Sequence, residues 1–309
     1  MLVFGQFLEV LIGGLLAGVL YSLVALGFVL IFKASGVFNF AQGAMVLLAG
    51  LALVRSLDFM VAHGVPMWAS IVLGLLFAAA VMAITAALIQ GLVLGPLVNQ
   101  SDLSLFMATI GITFVLEGAG QMIFGSEVYP LSLFPTDAWF VLDSIFDGGI
   151  LVNKLDVWGG LIAGALVASL AIFFQRTKTG RALRAVADDH AAAESVGIPI
   201  TWIWFVVWLA AGLVALVAAT VWGTKLGVQF SIVFLALKAF PVLVIGGFTS
   251  VPGAIIGGLI VGAGEKIAEV YLGQHIGGGI EYWFAYVLAL AVLLVRPQGL
   301  FGERIIERI

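Results

Sequence analysis

The sequence has no cysteine and little charge. Without cysteine the chain can form neither a disulfide nor a thiolate metal site, although that absence alone does not fix a redox compartment. Charged residues are 10% of the 309 residues, against about 25% in a soluble domain. So few charges cannot cover a water-exposed surface of ordinary size. A net charge of −4 and an isoelectric point of 5.3 argue against nucleic acid as a partner. Catalytic signatures are missing as well. There is no Gly-x-x-x-x-Gly-Lys-Ser/Thr loop, so the chain does not bind ATP by that route, and no His-Glu-x-x-His, Gly-x-Ser-x-Gly or paired catalytic carboxylates. No catalytic residue and no metal ligand is assigned. No basic residue precedes the first apolar run, so the N-terminus does not read as a cleaved signal peptide.

What the chain has is long apolar runs, with 63% hydrophobic residues. A hydrocarbon core of roughly 30 Å takes roughly 20 apolar residues as helix. Runs fall at about 8–32, 37–55, 67–94, 103–125, 155–175, 201–223, 231–248, 252–273 and 281–296. They are continuous and not alternating, which favours helices over a barrel. The expectation is an all-α polytopic membrane protein, residues 1–309 forming one transmembrane domain of about nine segments, within eight to ten. The runs 37–55 and 231–248 are expected to be short, broken or re-entrant.

Orientation follows the basic residues. Arg176, Lys178, Arg181 and Arg184 share one short stretch, which is expected in the cytosol. Residues 126–153 hold Glu127, Asp137, Asp143 and Asp147 without Lys or Arg, and are expected to form the largest outer loop. Lys33 after the first run places the N-terminus outside, and nine spans then place the tail with Arg304 and Arg308 inside. Arg55 falls on the outer side, a mild exception.

Glycine is abundant at 39 residues. Gly14 and Gly18, Gly160 and Gly164, Gly253 and Gly257, and Gly258 and Gly262 are spaced by four, which lets helix backbones approach closely in lipid.

Polar residues within spans are costly and point to function. Thr109, Thr113 and Glu117 recur every four residues, with Gln121 one turn on. Each step drifts about 40° on a helix, so the first three share a face, expected to line a substrate route or a seam with a partner; interhelical hydrogen bonding is the plainer alternative. Asn39 and Gln42 lie where the first two runs meet, beside Gly36 and Gly43, and a broken segment there suits a polar ligand. Lys238, three residues before Pro241, could snorkel, pair with an acid such as Glu265, or meet a ligand carboxylate. Glu265, Lys266 and Glu269 are expected at an aqueous edge. His63 and His275 read as surface residues of outer loops.

The one long polar stretch is RTKTGRALRAVADDHAAAESVGI, residues 176–198. Leu183, Val186, His190, Ala193 and Val196 recur at spacings of three or four, a narrow apolar stripe. Arg181, Arg184, Asp188, Asp189 and Glu194 point elsewhere. Gly180 and Gly197-Ile198-Pro199 punctuate the ends. Such a helix is too polar to insert and too balanced in charge to hold anionic lipid well. A groove on another protein suits it better than lipid does, with a solvated connecting loop as the plainer alternative.

These residues carry a resemblance. Gly180-Arg181-Ala182-Leu183-Arg184-Ala185, Asp188-Asp189 and Gly197-Ile198 resemble the cytoplasmic segment of permeases of branched-chain (LIV-type) amino-acid ABC importers. Asn39-Phe40-Ala41-Gln42-Gly43, Ala108-Thr109-Ile110-Gly111, Lys238-Ala239-Phe240, Gly246-Gly247, Ser250-Val251-Pro252-Gly253-Ala254, Gly257-Gly258 and the closing Arg296-Pro297-Gln298-Gly299-Leu300-Phe301-Gly302 are similar to further segments of that family, in order, over roughly residues 10 to 302. The resemblance implies the ABC importer permease fold, in a bacterial inner membrane. It implies a second related permease (a heterodimer), two cytosolic ATPases and a periplasmic binding protein as partners. No cofactor belongs to this chain, ATP and Mg being held by the ATPases. Residues 176–200 would contain the coupling helix, with Gly180, Arg181, Arg184, Asp188, Asp189 and Gly197 as docking candidates. The sequence departs from the general Glu-Ala-Ala…Gly coupling motif, reading Asp188-Asp189-His190-Ala191-Ala192-Ala193-Glu194-Ser195-Val196-Gly197. Asn39, Gln42, Thr109, Thr113, Glu117 and Lys238 are the candidates for the translocation pathway. The cargo would be a branched-chain or other amino acid, with urea and amides or aromatic acids as alternatives. A secondary transporter would instead rely on Glu117 and Lys238, and a membrane scaffold leaves the polar face of the fourth span unexplained.

Overall fold

The computed structural model describes residues 2–98, 100–142, 145–146 and 149–302. Asp143, Asp147, Arg304 and Arg308 lie outside the described residues. Helices dominate because lipid offers no partner to an open backbone, so each apolar run satisfies its own N–H and C=O groups. In chain order they are α1 (Leu2–Ser35), α2 (Gln42–Ala62), α3 (Met67–Leu88), α4 (Asp102–Phe124), α5 (Lys154–Arg176), α6 (Lys178–Asp188), α7 (His190–Ser195), α8 (Ile200–Leu226), α9 (Leu235–Gly246), α10 (Val251–Ile276) and α11 (Phe284–Val295). A two-stranded antiparallel hairpin, β1 (Ala138–Val141) and β2 (Ile150–Asn153), interrupts them, with Ala138 opposite Asn153. Among the described residues seven helices are long and apolar enough to cross a membrane. Two shorter apolar helical stretches, Phe230–Gly246 and Phe284–Val295, complete the set.

One expectation is corrected. The run 37–55 is not a broken segment but the start of α2, continuous for 21 residues. Arg55 and Asp58 end the run in sequence, yet the helix carries them. They pair at 3.8 Å, and the Arg55 guanidinium lies 5.1 Å from the centre of the Tyr129 ring. The run 231–248 is short as expected: a 3₁₀ turn (Phe230–Phe234) leads into α9, which holds Pro241.

The chain divides into two compact units. One comprises Leu30–Leu133 and Gly164–Ala236. In it α2 is the core, packed against α3, α4 and α8 and buried from Gln42 through Val54. A π-helical turn, Ile89–Leu94, ends α3, closed by Gly95 N–H donating to the Gln90 carbonyl at 2.7 Å.

The other unit comprises Met1–Val29, Phe134–Ala163 and Leu237–Ile309. Here α1 meets α10 backbone to backbone. A Cβ at Gly18 would collide with the Gly258 carbonyl, and one at Gly262 with Gly14 and Gly18. The Ser22 hydroxyl sits in the same seam, 2.9 Å from Gly18 O and 3.1 Å from Ala254 O. Gly253 and Gly257 abut α9 in the same way. The pair Gly160 and Gly164 makes no such approach: the nearest atom to a Cβ at Gly160 would be 3.6 Å away on Leu16, and Gly164 meets nothing within 4 Å. Spacing by four permits close contact but needs a facing backbone.

The segment after α11 turns back on the end of α9. Leu300 N–H donates to Ile245 O at 2.8 Å and Phe301 N–H to Gly246 O at 3.1 Å, which satisfies carbonyls that a helix end leaves open. The turn is possible because Gly247 and Gly299 adopt φ of +99° and +77° with their backbones in contact.

Candidate translocation and coupling sites

Lys238 belongs to one compact unit and the other sequence-predicted residues to the other. Asn39, Gln42 and Thr109 do come together. All three are buried, at 0%, 0% and 1% exposure. Asn39 Oδ1 accepts from Ala41 N–H at 3.0 Å, its Nδ2 reaches Gln42 Oε1 at 3.4 Å, and Gln42 Nε2 reaches Ala211 O at 3.4 Å. The Thr109 hydroxyl lies 2.9 Å from Phe106 O and 3.2 Å from Phe38 O, and accepts from Phe40 N–H at 3.4 Å. These side chains replace the backbone partners lost where α1 ends and α2 begins, a break opened at Gly36 with φ +70°. A permeant could reach them only if this packing opened.

Along α4 the polar line turns out of the core, as a drift of about 40° per step requires. Thr113 is half-buried and donates to Thr109 O at 2.9 Å, Glu117 is half-buried, and Gln121 is exposed. Glu117 has no hydrogen bond or ion pair among the described residues. The opposite flank of α4, with α3, walls a groove of about 750 Å³ lined by Phe77, Ile84, Leu88, Ile112 and Val115. No charged side chain lines that groove, so a zwitterion would find no partner in it.

The coupling stretch differs from the single helix expected over 180–197. It is two helices, α6 and α7, broken at Asp189 with φ −158° and ψ 111°. Asp189 caps α7, its Oδ1 accepting from Ala192 N–H at 2.9 Å, and side-chain capping competes with continuing the helix. Thr177 caps α6 by accepting from Gly180 N–H at 2.9 Å. Gly180 is buried because any Cβ there would strike the Phe173 and Phe174 backbone. Leu183, Val186 and Ala193 form the buried stripe, while α6 and α7 pack on α8. Val196 leaves that stripe at 76% exposure, since the break resets the helical phase; the His190 side chain lies outside the described residues. Arg181, Arg184, Asp188, Asp189 and Gly197 are exposed.

Lys238 sits in a cluster that sequence reasoning saw only in part. Its ammonium is 3.5 Å from the Tyr21 hydroxyl, 5.6 Å from the Tyr21 ring centre and 5.3 Å from that of Tyr282. Glu265 interacts electrostatically with both Tyr21 and Lys238. Lys238 and Glu265 attract one another without forming a contact ion pair. Glu265 is 3% exposed, which overturns its expected place at an aqueous edge: α10 turns it into the unit. Glu269 instead accepts from Gly279 and Glu281 N–H at 3.0 and 3.1 Å, and Lys266 pairs with Glu281 at 3.3 Å. Tyr21 and Tyr282 were missed, although Tyr21-Ser22 is a polar pair inside the first apolar run and carries the same signal as Thr109. His63 and His275 are exposed at the ends of α2 and α10.

Membrane-length helices, buried polar clusters and one charged two-helix element define a multi-pass membrane protein. Residues 10–296 match the family described as "Branched-chain amino acid transport system / permease component". The chain belongs to that family and is a multi-pass membrane permease. It is 27% identical to the high-affinity branched-chain amino acid transport system permease protein LivH of Salmonella typhimurium, over 99% of each chain. It is 28% identical to the corresponding permease protein BraD of Pseudomonas aeruginosa, over 98% of each. A probable branched-chain amino acid transport permease protein LivH of Methanocaldococcus jannaschii is 28% identical, over 95% of this chain and 92% of that one.

Proposed function

We propose that the chain is the permease subunit of an ATP-driven importer for branched-chain or similar amino acids in the bacterial inner membrane. Two cytosolic ATPases, a second related permease and a periplasmic binding protein complete it. The N-terminus faces outward and the C-terminus the cytosol. The observation that carries this reading is the α6–α7 element: its apolar stripe is buried on its own protein, while Arg181, Arg184, Asp188 and Asp189 project outward. Charges held at fixed spacing on a capped, packed element suit a partner's cleft and set its register. Movement of the ATPases would be passed through α6 and α7 to α8, on which both pack. The substrate reading rests on the names of the full-length relatives. In the pathway Asn39, Gln42 and Thr109 hold the α1–α2 break, and Thr113, Glu117 and Lys238 reach the permeant.

The test is ATP-dependent leucine uptake in membrane vesicles carrying the whole importer, with co-purification of the ATPases as a second readout. Arg184→Glu with Asp188→Arg should remove both uptake and co-purification. Unchanged co-purification, or uptake that follows a proton or sodium gradient without ATP, overturns the proposal.

A further inference from the structure

Lys238 is a half-buried cation within an apolar unit, and such a charge normally takes a carboxylate directly. Here it does not. Among the described residues no carboxylate forms an ion pair with it. Its one hydrogen bond, to Tyr21, is 3.5 Å long, and its other neighbours are the faces of Tyr21 and Tyr282. An ammonium has three donors, so two remain for a ligand.

The countercharge is one side chain away. Glu265, 3% exposed, interacts electrostatically with Tyr21 and Lys238 but makes no ion pair with the ammonium. A tyrosine hydroxyl can give its single proton to a carboxylate and offer its lone pairs to an ammonium. With Glu265 near but beyond ion-pair contact, the cluster is neutral as a whole while the ammonium has no carboxylate at contact distance. Aromatic faces stabilise the ammonium without using up its donors. The Lys238 backbone is fixed as well, because Tyr286 ties the carbonyl of the preceding residue, Leu237, at 2.9 Å.

We infer that Lys238, held by Tyr21 and Glu265, is the point on the route that binds the carboxylate of the permeant. The cargo then bears a carboxylate, as amino acids and aromatic acids do, and is not urea or a neutral amide. A neutral amide would leave the ammonium unpaired, whereas a carboxylate completes it and Glu265 limits how tightly it is retained. This inference rests on reading the chain as a transport permease.

The absence of cysteine gives a direct test. In vesicles carrying the whole importer, wild-type uptake of radiolabelled leucine, benzoate and urea is measured first. If none is taken up with ATP, the functional reading fails and not this inference. If urea alone is taken up, the inference fails and the importer reading stands. Where a carboxylate is imported, Lys238→Cys should lower its uptake per permease at least about tenfold, the loss expected when one partner of a charged contact is truncated. Aminoethyl methanethiosulfonate rebuilds an ammonium at that position and should restore uptake. The sulfonatoethyl and methyl reagents should not, with the wild-type importer treated in parallel. Should Lys238→Cys fail to assemble, Lys238→Arg against Lys238→Gln carries the same comparison, Arg retaining uptake and Gln losing it. Wild-type uptake by Lys238→Cys or Lys238→Gln, or equal rescue by all three reagents, overturns the inference.

Discussion

The hydroxyl of Tyr286 in α11 donates to the carbonyl oxygen of Leu237 at 2.9 Å, and Leu237 lies four residues before Pro241 in α9. Proline has no N–H, so the carbonyl one turn earlier loses its helical donor. Tyr286 supplies the missing one. The short helix that carries Lys238 can therefore hold a proline without an open acceptor in an apolar setting.

Tyr286→Phe should lower the stability of the detergent-solubilised chain by ~1 kcal/mol, the net worth of one such bond. Pro241→Ala restores an N–H at that position and should shrink the loss. Thermal unfolding of the two single variants and the double variant checks the coupling. Additive losses would mean that the hydroxyl and the proline are independent.

Sequence patterning shows α9 as short and Pro241 as a break, but not what repairs the break, because Tyr286 is 49 residues away in the chain. The same holds elsewhere. Long apolar runs reveal the spans, since lipid demands a full turn-by-turn backbone of each one. The α6–α7 break at Asp189 is hidden because the residue is equally compatible with a helix surface and a helix cap. Burial of Glu265 depends on which way α10 faces, which a window of hydropathy cannot report. The polarity of Asn39, Gln42 and Thr109 was legible, but not the backbone partners they hold, because Ala211 lies 169 residues from Gln42 and Phe38 lies 71 from Thr109.

The α1–α10 seam allows a sharper contrast. At Gly18 a Cβ would meet the Gly258 carbonyl, whereas Gly164 has nothing within 4 Å. Gly18→Val should destabilise by roughly 1–3 kcal/mol or more, because backbone cannot rotate out of the way. Gly164→Ala should be neutral or slightly stabilising through helix propensity. Thermal unfolding of both, each compared with wild type, reads the difference; equal effects would mean that α1 and α10 are not held at backbone contact.

Asp137, just before β1, has its carboxyl held below the usual carboxylate range, chiefly by the hydrogen bond from Lys154. The Lys154 ammonium also lies 5.5 Å from the Trp139 ring centre. A carboxyl whose folded value is depressed contributes order above its unfolded value and loses it as pH falls through the folded one. Hydrogen-exchange protection of the β1–β2 pairing, corrected for intrinsic rate, should therefore decline below about pH 4. Asp137→Asn should be less protected at neutral pH and show no such decline. The effect is small, because the pair is exposed to solvent.

Glu117 separates a working residue from a structural one. It is half-buried on α4 and has no hydrogen bond or ion pair among the described residues, while its neighbour Leu116 is buried at 8% exposure. A carboxylate that nothing among the described residues satisfies is costly to keep inside a membrane, and water, permeant or a second permease would give it a use. Glu117→Gln should leave thermal unfolding of the chain near wild type and lower uptake per permease by about tenfold. Thr113→Val, which loses the bond to Thr109 O, should lower uptake with a stability loss of only ~0.6 kcal/mol. Leu116→Ala should do the reverse, costing roughly 2–5 kcal/mol of stability and reducing uptake only as far as less permease survives. If Glu117→Gln loses stability and uptake in the same proportion as Leu116→Ala, the carboxylate is part of the scaffold. If both measurements stay at wild type, the α4 flank takes no part in the route, and the polar line on that helix is left to Thr109 and its hold on the α1–α2 break.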